Sequence, residues 1–392
     1  MQNDHHCPVC ESSDQISFLR RSKVPAHQNM VVRSFGEARS VSRGELELMA
    51  CRNCGFVHNQ LFDFVRMSYD AEYDNTQSSS GYFDAYMDSL VEHLVVECGI
   101  SNCTVVEVGC GKGLFLKKLI EFSGANIRGV GFDPTYVGPD SLYDGRLTFH
   151  RQFYDASCKT IRADAVICRH VIEHVQKPME LLVSVRGALL GSSHARVFFE
   201  TPCVEWILSN QVIWDFFYEH CSLFTAYSLC LAFTKAGFHV DKVKHVFGGQ
   251  YLWIEAGATN RGNSSEAQMQ ATAGLATSYG NAESHLKAKW KKGLQSLKQE
   301  AGVAIWGAGA KGATLANLLD SDCILFDCVV DINTNKQGKF IPGTGHLIIG
   351  PSDLAARGVK IVILMNPNYR AEVIGMLSHM APDVRVVSLE EL

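Results

Sequence analysis

Between residues 69 and 256, short apolar runs alternate with amphipathic stretches. "TVVEVG", "IRGVGFD", "DAVICRHV", "ARVFFET" and "QYLWIEA" read as strands, while "GLFLKKLIEF" and "PMELLVSVRGALL" carry apolar residues at helical spacing. Strands and helices taking turns predict an α/β domain built on a mainly parallel sheet with helices on both faces. The pattern changes over residues 257–300, where a polar linker, "GATNRGNSSEAQ", leads into a Lys- and Leu-rich helix, "SHLKAKWKKGLQSLKQE". Its charges read as a solvated face. From 301 to 392, "VAIWGAGAKGATLANLL", "DCVVD", "KIVILMN" and "RVVSL" predict a second, smaller α/β unit. Residues 1–68 lack this alternation and hold two cysteine pairs instead.

At 392 residues the chain exceeds one ordinary core, in keeping with three units and a connector. Hydrophobic content of 46% and charged content of 20% describe a globular protein. A net charge of −5 gives no reason to expect a nucleic-acid partner. No apolar run is long enough to span a bilayer, and "MQNDHHCPVC" lacks the apolar centre of a signal peptide, so a cytoplasmic monomer without a membrane partner is expected. In a reducing compartment the 14 cysteines are not a disulfide framework. Most, such as Cys168 and Cys328, read as small buried hydrophobes.

Four cysteines read differently. Cys7 and Cys10 in "CPVC", and Cys51 and Cys54 in "CRNCG", have the tight-turn chemistry of zinc knuckles, in which two thiolate pairs converge on one tetrahedral metal. The gap between the pairs is longer than in a typical zinc ribbon. A redox role is disfavoured because neither pair follows a βαβ-type strand. His5, His6 and His58 lie nearby but are not needed as ligands. Four thiolates leave no open coordination position, so a structural Zn2+ is expected.

Two glycine turns compete for the chemistry. "VAIWGAGAKGAT" has Gly307, Gly309 and Gly312 at G-x-G-x-x-G spacing, with Asp331 about twenty residues on, the pattern of a dinucleotide-binding turn. "VVEVGCGKG" has Glu107 at a strand end, then Gly109, Gly111 and Gly113 at G-x-G-x-G spacing, and the next strand ends in Asp133. Glycines there let backbone approach a ligand, and Asp133 is placed to take two ribose hydroxyls. With no pyrophosphate to cradle, this turn suits an adenosyl group carrying an amino acid.

"EVGCGKG", "GFD" and "CRHVIEHV" resemble the class I S-adenosylmethionine-dependent methyltransferases. With the double C-x-x-C, "YDNTQSSSGYFDAY", "FYEHCSLF" and "GAGAKG…DINTNKQGKFIPGTG" added, nearly the whole chain resembles the sugar-nucleotide C-methyltransferases of deoxysugar biosynthesis. That resemblance implies a zinc-binding domain (1–68), a Rossmann-like methyltransferase core (69–256), a helical connector (257–300) and a Rossmann-like C-terminal domain (301–392) that helps hold the sugar nucleotide. It implies methyl transfer to C3 of a dTDP-, GDP- or CDP-linked 4-keto-6-deoxyhexose through an enolate. His220 is then the general base, and Glu219 binds a sugar hydroxyl or orients the site. His174 donates to the enolate oxygen; His170, and after it Arg169, are rivals in the same loop and fall on the cofactor side with Glu107, the three glycines and Asp133. Tyr73 supplies a phenol near the sugar, with Tyr69 and Tyr82 as competitors, and Gln77 and Ser78 lie near the methionine part of the cofactor. Lys336, Lys339 and Gly343 add charge and close backbone approach around the second turn. One position departs from the family's Tyr-x-Glu-His run: Phe217 stands first, so a phenol is missing unless Tyr218 replaces it. A heteroatom methyltransferase keeps the same cofactor turn without needing a carbon base, and an NAD-dependent oxidoreductase would use residues 307–331 instead.

Overall fold

A computed structural model of the chain describes residues 6–67, 79–189, 194–258 and 271–392. The N-terminal unit is built on strands β1 (Gln15–Pro25), β2 (Arg43–Cys51) and β3 (Val57–Asn59), all antiparallel, with a short helix α1 (Phe35–Ser40) between the first two. Helix α2 (Gly81–Glu92) then enters the core and runs into a π-turn at His93–Glu97.

The core sheet has eight strands: β4 (Thr104–Val108), β5 (Arg128–Phe132), β6 (Ser141–Leu142), β7 (Leu147–His150), β8 (Ala165–Arg169), β9 (Arg196–Pro202), and, after a return through the N-terminal unit, β11 (His239–Val246) and β12 (Tyr251–Gly257). Their order is β6-β7-β5-β4-β8-β9-β12-β11. Strands β7, β5, β4, β8 and β9 are parallel, and β12 and β11 close the edge antiparallel. Near-continuous apolar burial in β4, β8 and β9 follows from helices on both faces, α3 (Leu114–Glu121) and α4 (Pro178–Ala188) among them. The strand read in "QYLWIEA" is therefore present but runs against the others.

The sequence pattern separates the N-terminal unit from the core, whereas the chain does not. After β9 it makes helix α5 (Val204–Ser209), crosses to the N-terminal sheet and adds β10 (Ser222–Leu223) beside β3. Only then does it return through helix α6 (Ala226–Lys235). Residues 212–224 are buried throughout. Arg21 of β1 locks this excursion: its guanidinium donates to the Ile213 carbonyl (2.6 Å) and to Glu283 (2.8 Å). A buried charge with several partners is costly to strip of any one of them.

Glu283 belongs to helix α7 (Thr272–Glu300), longer than the sequence pattern suggests. Most of its lysines face water as expected, but Tyr279, Trp290, Leu294 and Leu297 form a buried stripe at helical spacing. That stripe joins Leu46 and Leu48 of β2, Trp214 of the excursion, and Val303 and Ile305 of the C-terminal unit in one apolar core. The connector is thus a spine.

The C-terminal sheet is entirely parallel, in the order β15-β14-β13-β16-β17, from β13 (Gly302–Trp306), β14 (Cys328–Val330), β15 (Ile348–Ile349), β16 (Val359–Leu364) and β17 (Arg385–Ser388), with helices α8 (Ala310–Leu319) and α9 (Arg370–Met380). Among the described residues no helix is long and apolar enough to cross a membrane.

Candidate active site

The carboxyl ends of β4, β5 and β8 open onto a cavity of about 670 Å3 lined by Glu107, Gly109, Gly111, Asp133, His170 and His174. This is the edge at which doubly wound sheets take ligands. Gly109 (φ 70°) and Gly113 (φ 73°) are left-handed, and a Cβ on either would overlap Val171 or Phe149. A Cβ on Gly111 would meet nothing within 4 Å: that face of the turn is open to a ligand. Asp133 shapes the turn by accepting from the Gly111 amide (2.8 Å) and from Thr135.

Glu107 is buried, and its Oε2 has no hydrogen-bond partner among the described residues. Burial pushes its carboxyl up to about 8, against the pull of Arg169. A buried carboxyl oxygen left without a partner in a roomy cavity is the mark of a group awaiting a polar ligand. Arg169 is tied by its Nε to Glu200 (2.7 Å), which stands beside it in register on β9 and also accepts from the Tyr86 hydroxyl. Burial works against the charge of Glu200, but Arg169 and His170 hold its carboxyl below the usual range. The arginine's Nη2 is left without a partner among the described residues. The Tyr86–Glu200–Arg169 relay escapes the sequence reading, although a Glu in the apolar run "RVFFET" is the same signal that drew attention to Glu107.

A second cavity, of about 260 Å3, lies between the core and the C-terminal unit. His170, Glu173, Phe217 and His220 line one wall, and Gly307 and Lys336 belong to the other. His170 lines both cavities. It sits at φ 54°, a strained setting for a non-glycine residue, held by its amide on the Glu200 carbonyl and its ring 4.5 Å from Tyr251. The rings of His174 and His220 meet edge to face at 4.7 Å. His220 is pushed well below 6.5, first by burial and then by His174, His170 and Lys311. Its Nδ1 has no hydrogen-bond partner among the described residues.

Glu219 is fully buried behind His220, 3.4 Å from the Gln28 amide and 4.0 Å from His27. Tyr218 corrects an expectation. Whereas Phe217 and His220 line the cavity, the Tyr218 phenol goes into the N-terminal unit, where it accepts from the Asp63 amide (2.8 Å) and packs on Phe62. Phe217 is the residue that faces the cavity, 4.8 Å from His220, and Tyr218 does not replace the missing phenol. Tyr73, Gln77 and Ser78 lie outside the described residues.

The second glycine turn repeats the aspartate contact and adds others. Asp331 accepts from the Ala308 and Asn333 amides (2.8 Å each), and Asn29 of the N-terminal unit accepts from Ala310 at the start of α8 (2.9 Å). Lys311 pairs with Asp215, and Lys336 donates to the Ala308 carbonyl. Gln250 and Asn366 exchange hydrogen bonds across the same seam.

Remote from both cavities, the cysteine pairs converge. Cys7 Sγ lies 3.6 Å from Cys54 Sγ, and Cys10 Sγ 3.5 Å from Cys51 Sγ, with all four sulfurs within 4.8 Å of one another. The two knuckles are built alike: the Cys7 and Cys51 amides donate five residues ahead, and left-handed Glu11 and Gly55 complete the turns. Tetrahedral zinc with Zn–S near 2.3 Å needs sulfurs about 3.8 Å apart, so the donor set fits.

Residues 82–243 match the family described as a methyltransferase domain, and residues 261–384 match the C-methyltransferase C-terminal domain. The chain is 25% identical to the C-methyltransferase NovU of Streptomyces niveus, over 98% of this chain and 97% of that one. Similar solved structures include a 1,6-didemethyltoxoflavin-N1-methyltransferase of Burkholderia thailandensis (15% identity, 45% of this chain and 84% of that one, TM-score 0.34). Another is the magnesium protoporphyrin IX methyltransferase of Synechocystis PCC 6803 (17% identity, 45% and 83%, TM-score 0.34). A methyltransferase domain and a C-methyltransferase C-terminal domain matched in sequence order, with a C-methyltransferase 25% identical over nearly the whole of both chains, identify the chain as an S-adenosylmethionine-dependent C-methyltransferase with a class I Rossmann-like core.

Proposed function

We propose that the acceptor is C3 of a nucleotide-linked 4-keto-6-deoxy sugar and that His220 is the base that activates it. The observation that carries this reading is the meeting of the two cavities at His170, with His174 on the cofactor side and His220 on the other. Bound S-adenosylmethionine supplies an electrophilic methyl group; Glu107, Asp133 and the Gly109–Gly113 turn would hold it. His220, neutral at working pH, takes the C3 proton, and the electron pair moves onto the neighbouring ketone oxygen as an enolate. His174 or His170 donates to that oxygen, where negative charge accumulates. The methyl group would pass from the sulfonium sulfur to C3 as the ketone re-forms, leaving S-adenosylhomocysteine, while His220 keeps the proton until the product leaves. Glu219 steadies the segment that carries His220.

The C-terminal wall suits the diphosphate of a sugar nucleotide. Lys336 and the start of α8 offer positive character to a diphosphate. The four N-terminal cysteines would hold a structural Zn2+, binding the two knuckles to each other and to α6, where Lys235 donates to the Val9 carbonyl. The test is mass spectrometry of reactions with S-adenosylmethionine and a panel of dTDP-, GDP- and CDP-linked 4-keto-6-deoxy sugars in D2O. A product heavier by one methyl, with deuterium exchange at C3 in the absence of cofactor, is expected. Neither methylation nor exchange, with cofactor binding confirmed, would reject both the acceptor class and the carbon base.

A further inference from the structure

At the sheet edge opposite the glycine turns, three side chains of different chemistry converge. His93 opens the π-turn after α2, Cys98 closes it, and Glu255 comes from β12. Their ligand atoms lie within 4.8 Å of one another. His93 Nε2 is 2.8 Å from Glu255 Oε1 and 3.5 Å from Cys98 Sγ, and that sulfur is 3.6 Å from Glu255 Oε2. Ligands at about 2.0–2.3 Å from a tetrahedral ion stand roughly 3.3–3.8 Å apart, so a slight opening of the His93–Glu255 contact is all the set requires. His93 Nδ1 meets Glu97 at 2.9 Å. A carboxylate on the far nitrogen is how proteins fix the tautomer of a ligating histidine, leaving Nε2 for the ion. The π-turn itself makes this possible: its wider winding brings Cys98 under His93, and such turns concentrate at functional sites.

We propose that His93, Cys98 and Glu255 bind a divalent ion of the zinc class, separate from the four-cysteine cluster. One imidazole, one thiolate and one carboxylate suit zinc rather than calcium or magnesium. The charges close: Cys98, Glu255 and Glu97 bring three negative charges, and the ion with Arg196, 3.6 Å from Glu255, brings three positive. Trp253 Nε1 donates to Glu255 Oε1 (3.2 Å), orienting the carboxylate from outside. An adjoining polar cavity of about 420 Å3, reached by Cys98, gives the ion an entry path and a water for the fourth position. The ion would fasten the end of α2 to β12. Phe83 and Met87 of α2 line the cofactor cavity, so the site would steady one wall of it from a distance.

The experiment is metal analysis of the full chain after saturation with zinc and dialysis into metal-free buffer, for the parent, Cys98→Ser and His93→Gln. A native far-UV circular dichroism spectrum and a cooperative thermal transition serve as the check on folding. Each variant should hold one equivalent fewer than the parent. Replacement by cobalt should give the parent one extra equivalent whose charge-transfer absorption is that of a single thiolate, absent in Cys98→Ser. If one variant fails the folding check, the other carries the comparison. Equal metal content in the parent and a folded variant would overturn the proposal.

Discussion

The two glycine turns look alike in sequence, and in both an aspartate after the next strand takes a turn amide, Asp133 that of Gly111 and Asp331 that of Ala308; they differ in what else surrounds them. At Gly109–Gly113 the protein leaves polar groups unspent: a buried Glu107 oxygen without a partner and an open face at Gly111. At Gly307–Gly312 the face at Gly307 is open too, but Asn29 of the N-terminal unit already takes the Ala310 amide at the helix start. Here Gly312 serves packing, since a Cβ would lie 1.9 Å from the Gly307 carbonyl oxygen. A glycine spacing therefore reports where backbone comes close to something; unsatisfied neighbours report whether that something is a ligand.

His220 stands between the two turns, so its removal separates chemistry from binding on both sides. For His220→Ala, methyl transfer should fall by about 10²–10⁴-fold, with cofactor affinity unchanged. Solvent exchange at C3 should fall in parallel, and retained methylation would show that no carbon base is needed. In the parent, burial lowers the histidine well below 6.5, so it stays neutral and competent as the pH falls through that value. The acid limb of kcat/KM should accordingly lie below pH 6.5, and a limb above it would point to another base.

The turns themselves can be compared by adding one methyl to each. Gly109→Ala forces a left-handed alanine into contact with Val171, 2.1 Å away. Strain of about 1–2 kcal/mol corresponds to a loss of roughly 5- to 30-fold in S-adenosylmethionine affinity by calorimetry. Gly309 has φ −95°, and its nearest foreign atom would be 3.6 Å off. Gly309→Ala should leave that affinity within about twofold. Equal losses would mean that the second turn also shapes the cofactor site.

Glu107 sharpens the contrast through pH. Its folded carboxyl keeps a proton up to about 8, whereas the unfolded one releases it near 4.5. Between those values the folded chain binds more protons than the unfolded, so this residue makes ligand-free stability fall as pH rises. Glu107→Gln cannot titrate, and its melting temperature should decline less than that of the parent from pH 5 to 8. Parallel slopes would mean that Glu107 is solvated or paired in solution.

Much of this architecture was legible because it rests on local pattern. The strands ending in Glu107, Asp133 and Arg169 announce themselves by apolar runs closed by a charged or glycine residue. The cysteine pairs announce themselves by spacing, and their sulfurs do converge. What was not legible depends on contacts between distant segments. No periodicity says that "FFYEHCSLF" leaves the core to join the N-terminal sheet, and that excursion is why Tyr218 turns away from the cavity while Phe217 and His220 face it. Nor does local pattern reveal that Arg21 and Glu283, 262 residues apart, form one buried pair. The π-turn after α2 was equally hidden, since the wide winding at His93–Glu97 leaves no mark in the local pattern.

Asn29 offers the finest test, because it is what most distinguishes the second turn from the first. Its Oδ1 accepts from the Ala310 amide from a unit nearly three hundred residues away in sequence. Asn29→Ala should remove one hydrogen bond at a helix start, costing about 1 kcal/mol, read as a lower denaturant midpoint at unchanged slope. S-adenosylmethionine affinity should not move, as Asn29 is remote from the first cavity. The freed amide faces the second cavity, so inorganic pyrophosphate should restore part of the loss in the variant and stabilise the parent less. A variant indifferent to pyrophosphate would mean that the second turn is a packing element alone, and the diphosphate of the substrate would then have to be held elsewhere along the seam.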